Sequence, residues 1–206
     1  MNVDPVLVAL IRVRRESRDL EYKGSSGREP YVWGVDRIKA RIARTAMAMA
    51  NIGGGAIVIG MDQVGSDTWE ANGVSLEVDR SYEQDQVQQY INGRADPYVK
   101  LAVLHLQLEN QRFVVIQVEG FDELPVVCTT PASGVLRQGA IYTRSYAKNA
   151  TVEIQSQSEM RELLDRAIEV GVRKRLRPFD EILARGIAMS QSDIASRLFE
   201  KQGDAL

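Results

Sequence analysis

Glu16 and Glu21, five positions apart in the stretch ESRDLEYKG, are the first residues of this 206-residue chain whose type and spacing suggest chemistry. Together with Asp62 they offer the hard oxygen ligands that Mg2+ or Mn2+ requires. A phosphodiester-cleaving site typically holds the ion with two or three carboxylates while nearby cations orient the phosphate. On one continuous helix the two glutamates would diverge by roughly 140°. Convergence therefore needs a break between them, and the change from helical to extended character near Arg18–Leu20 provides one. The same glutamates also read as ordinary solvated charges, since Arg12, Arg15 and Arg18 stand within local pairing reach of Glu16.

A second constellation is cationic. Arg37, Arg41 and Arg44 stand at i, i+4 and i+7, one stripe of a helix, and Lys23 and Lys39 lie near them in sequence. Such a row could track a phosphate backbone, with Tyr22, Tyr31 or Trp33 stacking on an unpaired base and Arg144 closing the surface from the last core strand. It is equally what an ordinary exposed helix face shows. Arg173, Lys174, Arg175 and Arg177 form a second basic run that either touches the same partner or favours a helix C-terminus through its dipole.

Other chemistries have less to stand on. One cysteine, Cys128, and one histidine, His105, rule out an intramolecular disulfide and a Cys/His zinc cluster within one chain, so any metal would take oxygen ligands. Both read as strand residues. Gly53-Gly54-Gly55 lacks the Lys-Ser/Thr of a phosphate loop. It also runs from helix to strand, which would present the wrong end of the helix dipole to an anion. It reads as a helix C-cap and tight turn, and ATP has no recognisable cradle.

Composition sets the frame for these residues. The chain is 44% hydrophobic and 26% charged, typical of a folded globular protein. The formal charge of −2 is uneven: residues 1–50 hold ten basic and six acidic residues, 51–135 four and twelve, and 136–206 twelve and ten. The acidic balance argues against indiscriminate DNA coating but leaves room for a local basic face. No apolar run approaches the ~20 residues of a membrane span, and the first basic residues follow rather than precede the opening apolar stretch. The expectation is a cytoplasmic protein without a membrane partner.

The elements that must position the candidates are legible in the spacing. Residues 4–15 form a helix leading into an extended LEYKGS, with Leu20 and Tyr22 on one face and Glu21 and Lys23 on the other. Val35 to Ala50 is an amphipathic helix with a basic edge. NIGGG ends it, and AIVIGMD reads as one buried strand with Asp62 after its C-terminal end. DQVGSDTWEANGV is a turn or hairpin, and residues 82–92 a short helix. Residues 99–108 and 112–119 make an antiparallel pair around ENQ, and PVVCTT and GAIYTRS are two further strands. From residue 156 the pattern is helical, Met160, Leu163, Leu164, Ala167 and Ile168 forming an apolar stripe before Pro178. SQSDIASRLFEKQ is a last helical segment, either a tail that packs a dimer or the first helix of a helix-turn-helix. The division is 1–155 for the main domain and 156–206 for a helical extension.

Three motifs resemble the AlbA-2 domain of the Schlafen family over roughly residues 13–165. ESRDLEYKG is similar to its Glu-x4-Glu-aromatic-Lys opening, AMANIGGGAIVIGMDQVG to its glycine-rich strand, and GAIYTRSYAKNA to its Tyr-x-Arg strand and loop. The resemblance implies an α/β fold of α+β type, a mixed or antiparallel sheet packed against helices, here with a C-terminal helical appendage. It also implies a nucleic-acid-binding role. Bacterial relatives are described as transcriptional regulators or ATP-binding proteins. In animal relatives that cleave tRNA and rRNA, the metal site uses carboxylates at the places of Glu16, Glu21 and Asp62. The zinc site of those relatives has no counterpart here, and the chain holds no second AlbA-like half, so a two-lobed clamp would be a homodimer. The first expectation is thus a dimeric nucleic-acid-binding module for DNA or RNA, with a regulatory role. The second is a Mg2+- or Mn2+-dependent endoribonuclease acting on tRNA or other structured RNA. The third is an oligomeric, structural protein assembled by its C-terminal helices.

Overall fold

The computed structural model describes residues 4–24, 31–146 and 149–176. Its centre is a four-stranded mixed sheet in the order β1-β2-β7-β6. The first helix, α1 (Pro5–Arg12), starts where Asp4 accepts a hydrogen bond from the Val6 N–H at 2.9 Å, with proline in the first turn. A reversal at Arg14 (φ 52°) and a tight Ser17–Leu20 bridge feed β1 (Leu20–Lys23). The crossover from β1 to its parallel neighbour β2 (Gly54–Ile59) is α2 (Asp36–Ile52), the kind of long connection a parallel pair needs. β2 pairs antiparallel with β7 (Gln111–Glu119), and β7 with the edge strand β6 (Leu101–Leu108), turning through Glu109 and Asn110 at positive φ.

The sheet is buried on both faces. Ile57, Ile59, Val114 and Ile116 join α2 in the larger core. Tyr22, Val58, Phe113 and Val115 meet Leu7 and Ile11 of α1 in the smaller one. The continuous apolar run of β2 follows from this two-sided burial.

Several elements differ from the sequence expectation. AIVIGMD is two strands, because Gly60 at φ 115° breaks it and β3 (Met61–Gln63) turns away to pair with β4 (Trp69–Ala71). The helix expected over 82–92 is α4 (Gln84–Asn92), and a short helix not expected from the sequence, α3 (Leu76–Ser81), capped by Ser75, precedes it. β5 (Ala95–Asp96) pairs with β8 (Val127–Cys128), so PVVCTT is extended only briefly. GAIYTRS supplies β9 (Tyr142–Arg144), whose partner β10 (Thr151–Glu153) is too short to show a period.

Residues 157–176 form a last helix, α5. It docks by Leu163, buried in the larger core, with Ala167 and Val170 packed beside it. Arg166 lies over Gly53, and Glu162 receives Arg18 at 2.6 Å and the Tyr146 hydroxyl at 2.9 Å. SQSDIASRLFEKQ, Arg177 and Pro178 lie outside the described residues. Among the described residues no helix is long and apolar enough to cross a membrane.

Candidate nucleic-acid interface

The alternation of β1 decides which side chains reach the site. Leu20 and Tyr22 are buried toward α1, so Glu21 and Lys23 stand on the α2 face, in register with Ile57 and Ile59 of β2. Because β1 is an edge strand, these two side chains emerge beside α2 instead of beneath it. There α2 turns inward with Ile38, Ile42, Ala46 and Met49, and the same periodicity brings Arg37, Arg41 and Arg44 to the edge next to β1. The β9–β10 ribbon forms the far wall. The result is a groove of about 690 Å3 that holds Glu16, Glu21, Lys23 and the three arginines together.

Within it, the acids are already partnered. Glu21 receives Lys23 Nζ on one carboxylate oxygen and Arg144 Nη1 on the other. Glu16 Oε1 accepts the Tyr22 N–H at 2.8 Å. Burial pushes the Glu16 carboxyl up from its ordinary value; the Tyr22 N–H opposes this, nearby Glu21 adds to it, and Lys23 and Arg144 counteract it. Glu153, on the opposite wall, takes a bidentate pair from Arg137. Arg41 and Arg44 have no carboxylate partner among the described residues. Arg44 lies 5.1 Å from the centre of the Tyr142 ring, with Nε buried and without an acceptor. Two cationic side chains therefore face a concave surface in which two of the three carboxylates, Glu21 and Glu153, are paired with other cations.

Three of the expected site residues sit elsewhere. Arg144 does not close the surface. Its side chain is wholly buried, donating from Nε to the Arg18 carbonyl at 3.0 Å and from Nη2 to the Ser17 carbonyl at 3.1 Å. It is a positioning residue that ties the 17–18 turn to Glu21. Lys39 lies two residues beyond Arg37, a rotation of roughly 200°, and so turns to Asp36 at 3.5 Å and to the Tyr90 ring at 5.7 Å. Asp62 follows β3 out of the main sheet and is not among the residues lining the groove. It is 8% exposed, accepts from Asn72 Nδ2 at 2.9 Å, and crowds Gly24, where an added Cβ would meet Oδ1 at 2.9 Å.

Among the described residues no three His, Cys, Asp or Glu side chains come together in a way that could hold a metal ion. The donor set explains why: both oxygens of Glu21 serve cations, Glu16 spends one on a backbone N–H, and Asp62 is outside the groove. These residues do not fit a three-carboxylate Mg2+ or Mn2+ site.

Of the aromatic candidates, Tyr22 packs edge-on against Trp69 at 5.4 Å and Trp33 against Tyr82 at 5.6 Å, both buried. Tyr31 alone of the three lines the groove. His105 joins Asp79 at 2.7 Å and the Tyr82 carbonyl at 3.1 Å, tying β6 to α3. Cys128 is buried, and burial pushes its thiol up. Neither approaches the groove. Asn51, which the sequence reading passed over, is buried and fully bonded: Nδ2 donates to the carbonyls of Val126 and Tyr142, and Oδ1 accepts from the Val126 N–H. It holds β9, and with it the far wall, against α2. A polar residue amid the alanines and methionines of α2 was its only sequence signal.

A mixed α/β domain with an arginine-lined groove at a sheet edge is the class these features define. Residues 16–153 match the family described as Schlafen, AlbA_2, and the chain belongs to that family. No curated protein matches it. Among solved structures, it is similar to the DIP2311 protein from Corynebacterium diphtheriae, at 18% identity and a TM-score of 0.49 over 76% of this chain and 28% of that one. The chain thus spans about a quarter of that protein's length. It is also similar to the N-terminal domain of a RecG-related protein from Nitrosomonas europaea, at 17% identity and a TM-score of 0.39, over 67% of this chain and 89% of that domain.

Proposed function

We propose that this protein binds nucleic acid, DNA or RNA, by seating the phosphate backbone in the groove between α2 and the β9–β10 ribbon. The observation that carries the reading is the pairing pattern: Glu21 and Glu153 are paired with other cations, while Arg41 and Arg44 face the groove without a carboxylate partner among the described residues. Arg37 and Lys23 extend the cationic row, and Tyr31 offers a ring to an unpaired base. A homodimer would present two such grooves to one strand, and binding without cutting suits a regulatory role.

Fluorescence anisotropy with labelled single-stranded and duplex oligonucleotides tests this directly. Three arginine–phosphate contacts on a single strand give a salt slope of about −2, so a fourfold rise in salt weakens binding roughly twentyfold. The Arg41→Ala/Arg44→Ala double variant is expected to lose most of that affinity and to flatten the slope. Unchanged affinity in the variant, or binding insensitive to salt, overturns the proposal.

The endoribonuclease reading has less support, since Asp62 does not line the groove with Glu16 and Glu21. Incubation of the protein with tRNA and Mn2+ separates the two readings: cutting that disappears in Glu16→Gln makes the protein an enzyme. ATP gains no support, because Gly53 serves as the left-handed cap of α2 at φ 104° and meets the backbone of Gly120.

A further inference from the structure

Two arginines join helix α5 to the groove, although α5 does not line it. Arg18 Nε donates to the Arg144 carbonyl at 3.0 Å, and Arg144 Nε donates to the Arg18 carbonyl at 3.0 Å, a reciprocal exchange across 126 positions of sequence. Each guanidinium is then held by one carboxylate: Arg144 by Glu21 in the groove, Arg18 by Glu162 of α5 at 2.6 Å. The planar fork of an arginine fixes the direction of every partner it binds, so each of the two orients main chain and carboxylate together. Arg18 also stacks on Tyr146, 3.5 Å from the ring centre, and the Tyr146 hydroxyl donates to the same Glu162 oxygen at 2.9 Å. Tyr146 is 73% exposed, so it is these contacts and not burial that hold its ring.

The contacts form a clasp between the two walls of the groove. On one side is the turn at residues 16–19, which carries Glu16 and leads into β1. On the other is the end of β9 and the loop after it, from which Asn149 Nδ2 donates to the Glu16 carbonyl at 3.3 Å. β9 also carries Tyr142, whose ring seats Arg44, so a shift of this strand moves Arg44 within the groove. We propose that Arg18 is a positioning residue of the groove and that α5, by holding Arg18 through Glu162, sets how tightly the groove grips its ligand. The effect on affinity rests on the nucleic-acid binding proposed above; the effect on the β9–β10 ribbon rests on the clasp alone. The helical extension is then a control element of the groove.

Glu162→Ala in the full-length chain separates the clasp from simple electrostatics, because the two predict opposite signs. If only charge counts, removing a carboxylate favours an anionic ligand and binding tightens. Loss of the clasp weakens binding by about two- to thirtyfold, the range for a residue coupled to a site without touching its ligand. Tyr146→Leu, exposed and without change of charge, is expected to weaken binding within the same range, and the double variant to bind no more weakly than the weaker-binding single one, since both break one clasp. Anisotropy with labelled oligonucleotides at constant salt measures this. Amide hydrogen exchange without any oligonucleotide reads the clasp itself: β9 and β10 are expected to exchange several times faster in Glu162→Ala, with β2 and β7 unchanged. Unchanged exchange of the ribbon overturns the proposal. So does faster exchange of β2 and β7 as well, the mark of a variant that is merely less stable, and so does equal or tighter binding by Glu162→Ala. A wild type that binds no oligonucleotide overturns the proposed function and with it the effect on affinity, whereas faster exchange of the ribbon alone still establishes the clasp.

Discussion

Substitution of Glu21 by glutamine removes the anion facing Arg144 while keeping shape and hydrogen-bonding capacity. Arg144 has no exposed side-chain surface and Glu21 only 12%. The guanidinium would keep the carbonyls of Ser17 and Arg18 and the Thr151 hydroxyl as acceptors, but no carboxylate in contact, Glu16 being left as a more distant charge. Removing one partner of a buried pair costs about 3–5 kcal/mol. Because three acceptors remain and Glu21 borders the groove, the low end, about 3 kcal/mol, applies here. For a chain of this size that corresponds to a fall in melting temperature of about 6–12 °C. Thermal and urea unfolding followed by far-ultraviolet circular dichroism measure it. The double variant Glu21→Gln/Arg144→Met is expected to recover part of the loss, giving a non-additive cycle. A single variant that melts within about 2 °C of the wild type refutes the reasoning. Arg144 would then be satisfied by carbonyls alone, and Glu21 would be free to serve as a ligand. One practical consequence is that lost activity in a Glu21 variant does not by itself identify a catalytic carboxylate, whereas Glu16→Gln leaves the buried pair untouched.

Glu16 gives a pH-dependent test. Burial holds its folded-state pKa above the unfolded value, so its stabilising contribution is complete below the unfolded value and is lost as pH rises through the folded one. Glu16→Gln is therefore expected to gain stability over the wild type as pH rises from about 4 to about 7, read as urea midpoints; a constant difference would exclude the effect. The same variant is expected to bind oligonucleotides more tightly near neutral pH, since it removes a negative charge beside the phosphate path; weaker binding would assign Glu16 a direct ligand contact. Asn51→Leu leaves one N–H and two carbonyls of the α2–β8–β9 junction without partners and is expected to destabilise the fold by about 2–4 kcal/mol, measured by urea unfolding.

How much of this was legible depended on how locally each feature is encoded. The arginine row of α2 needs only helical periodicity, and Arg37, Arg41 and Arg44 do reach the groove together. The face of Glu21 and Lys23 needs only the two-residue period of a strand. The place of Asp62 was not legible because the chain turns at Gly60 (φ 115°), where Gly73 and Phe113, residues distant in sequence, leave no room for a side chain. Arg144 failed for a similar reason: an arginine in a Tyr-Thr-Arg strand reads as exposed until Glu21 arrives 123 residues upstream in the chain to neutralise it. The cationic and acidic parts of the site therefore have different physical status. The arginines lie along the groove edge of a helix, and Arg44 packs on a ring, that of Tyr142. Glu21 is fixed by the fold's own need to bury Arg144, which removes it from the set of groups selected for ligand chemistry alone. Of the two glutamates of the opening motif, Glu16, half-buried and held by a single backbone N–H, is the one that no buried cation fixes, and it is there that a chemical role beyond the proposed phosphate binding would have to begin.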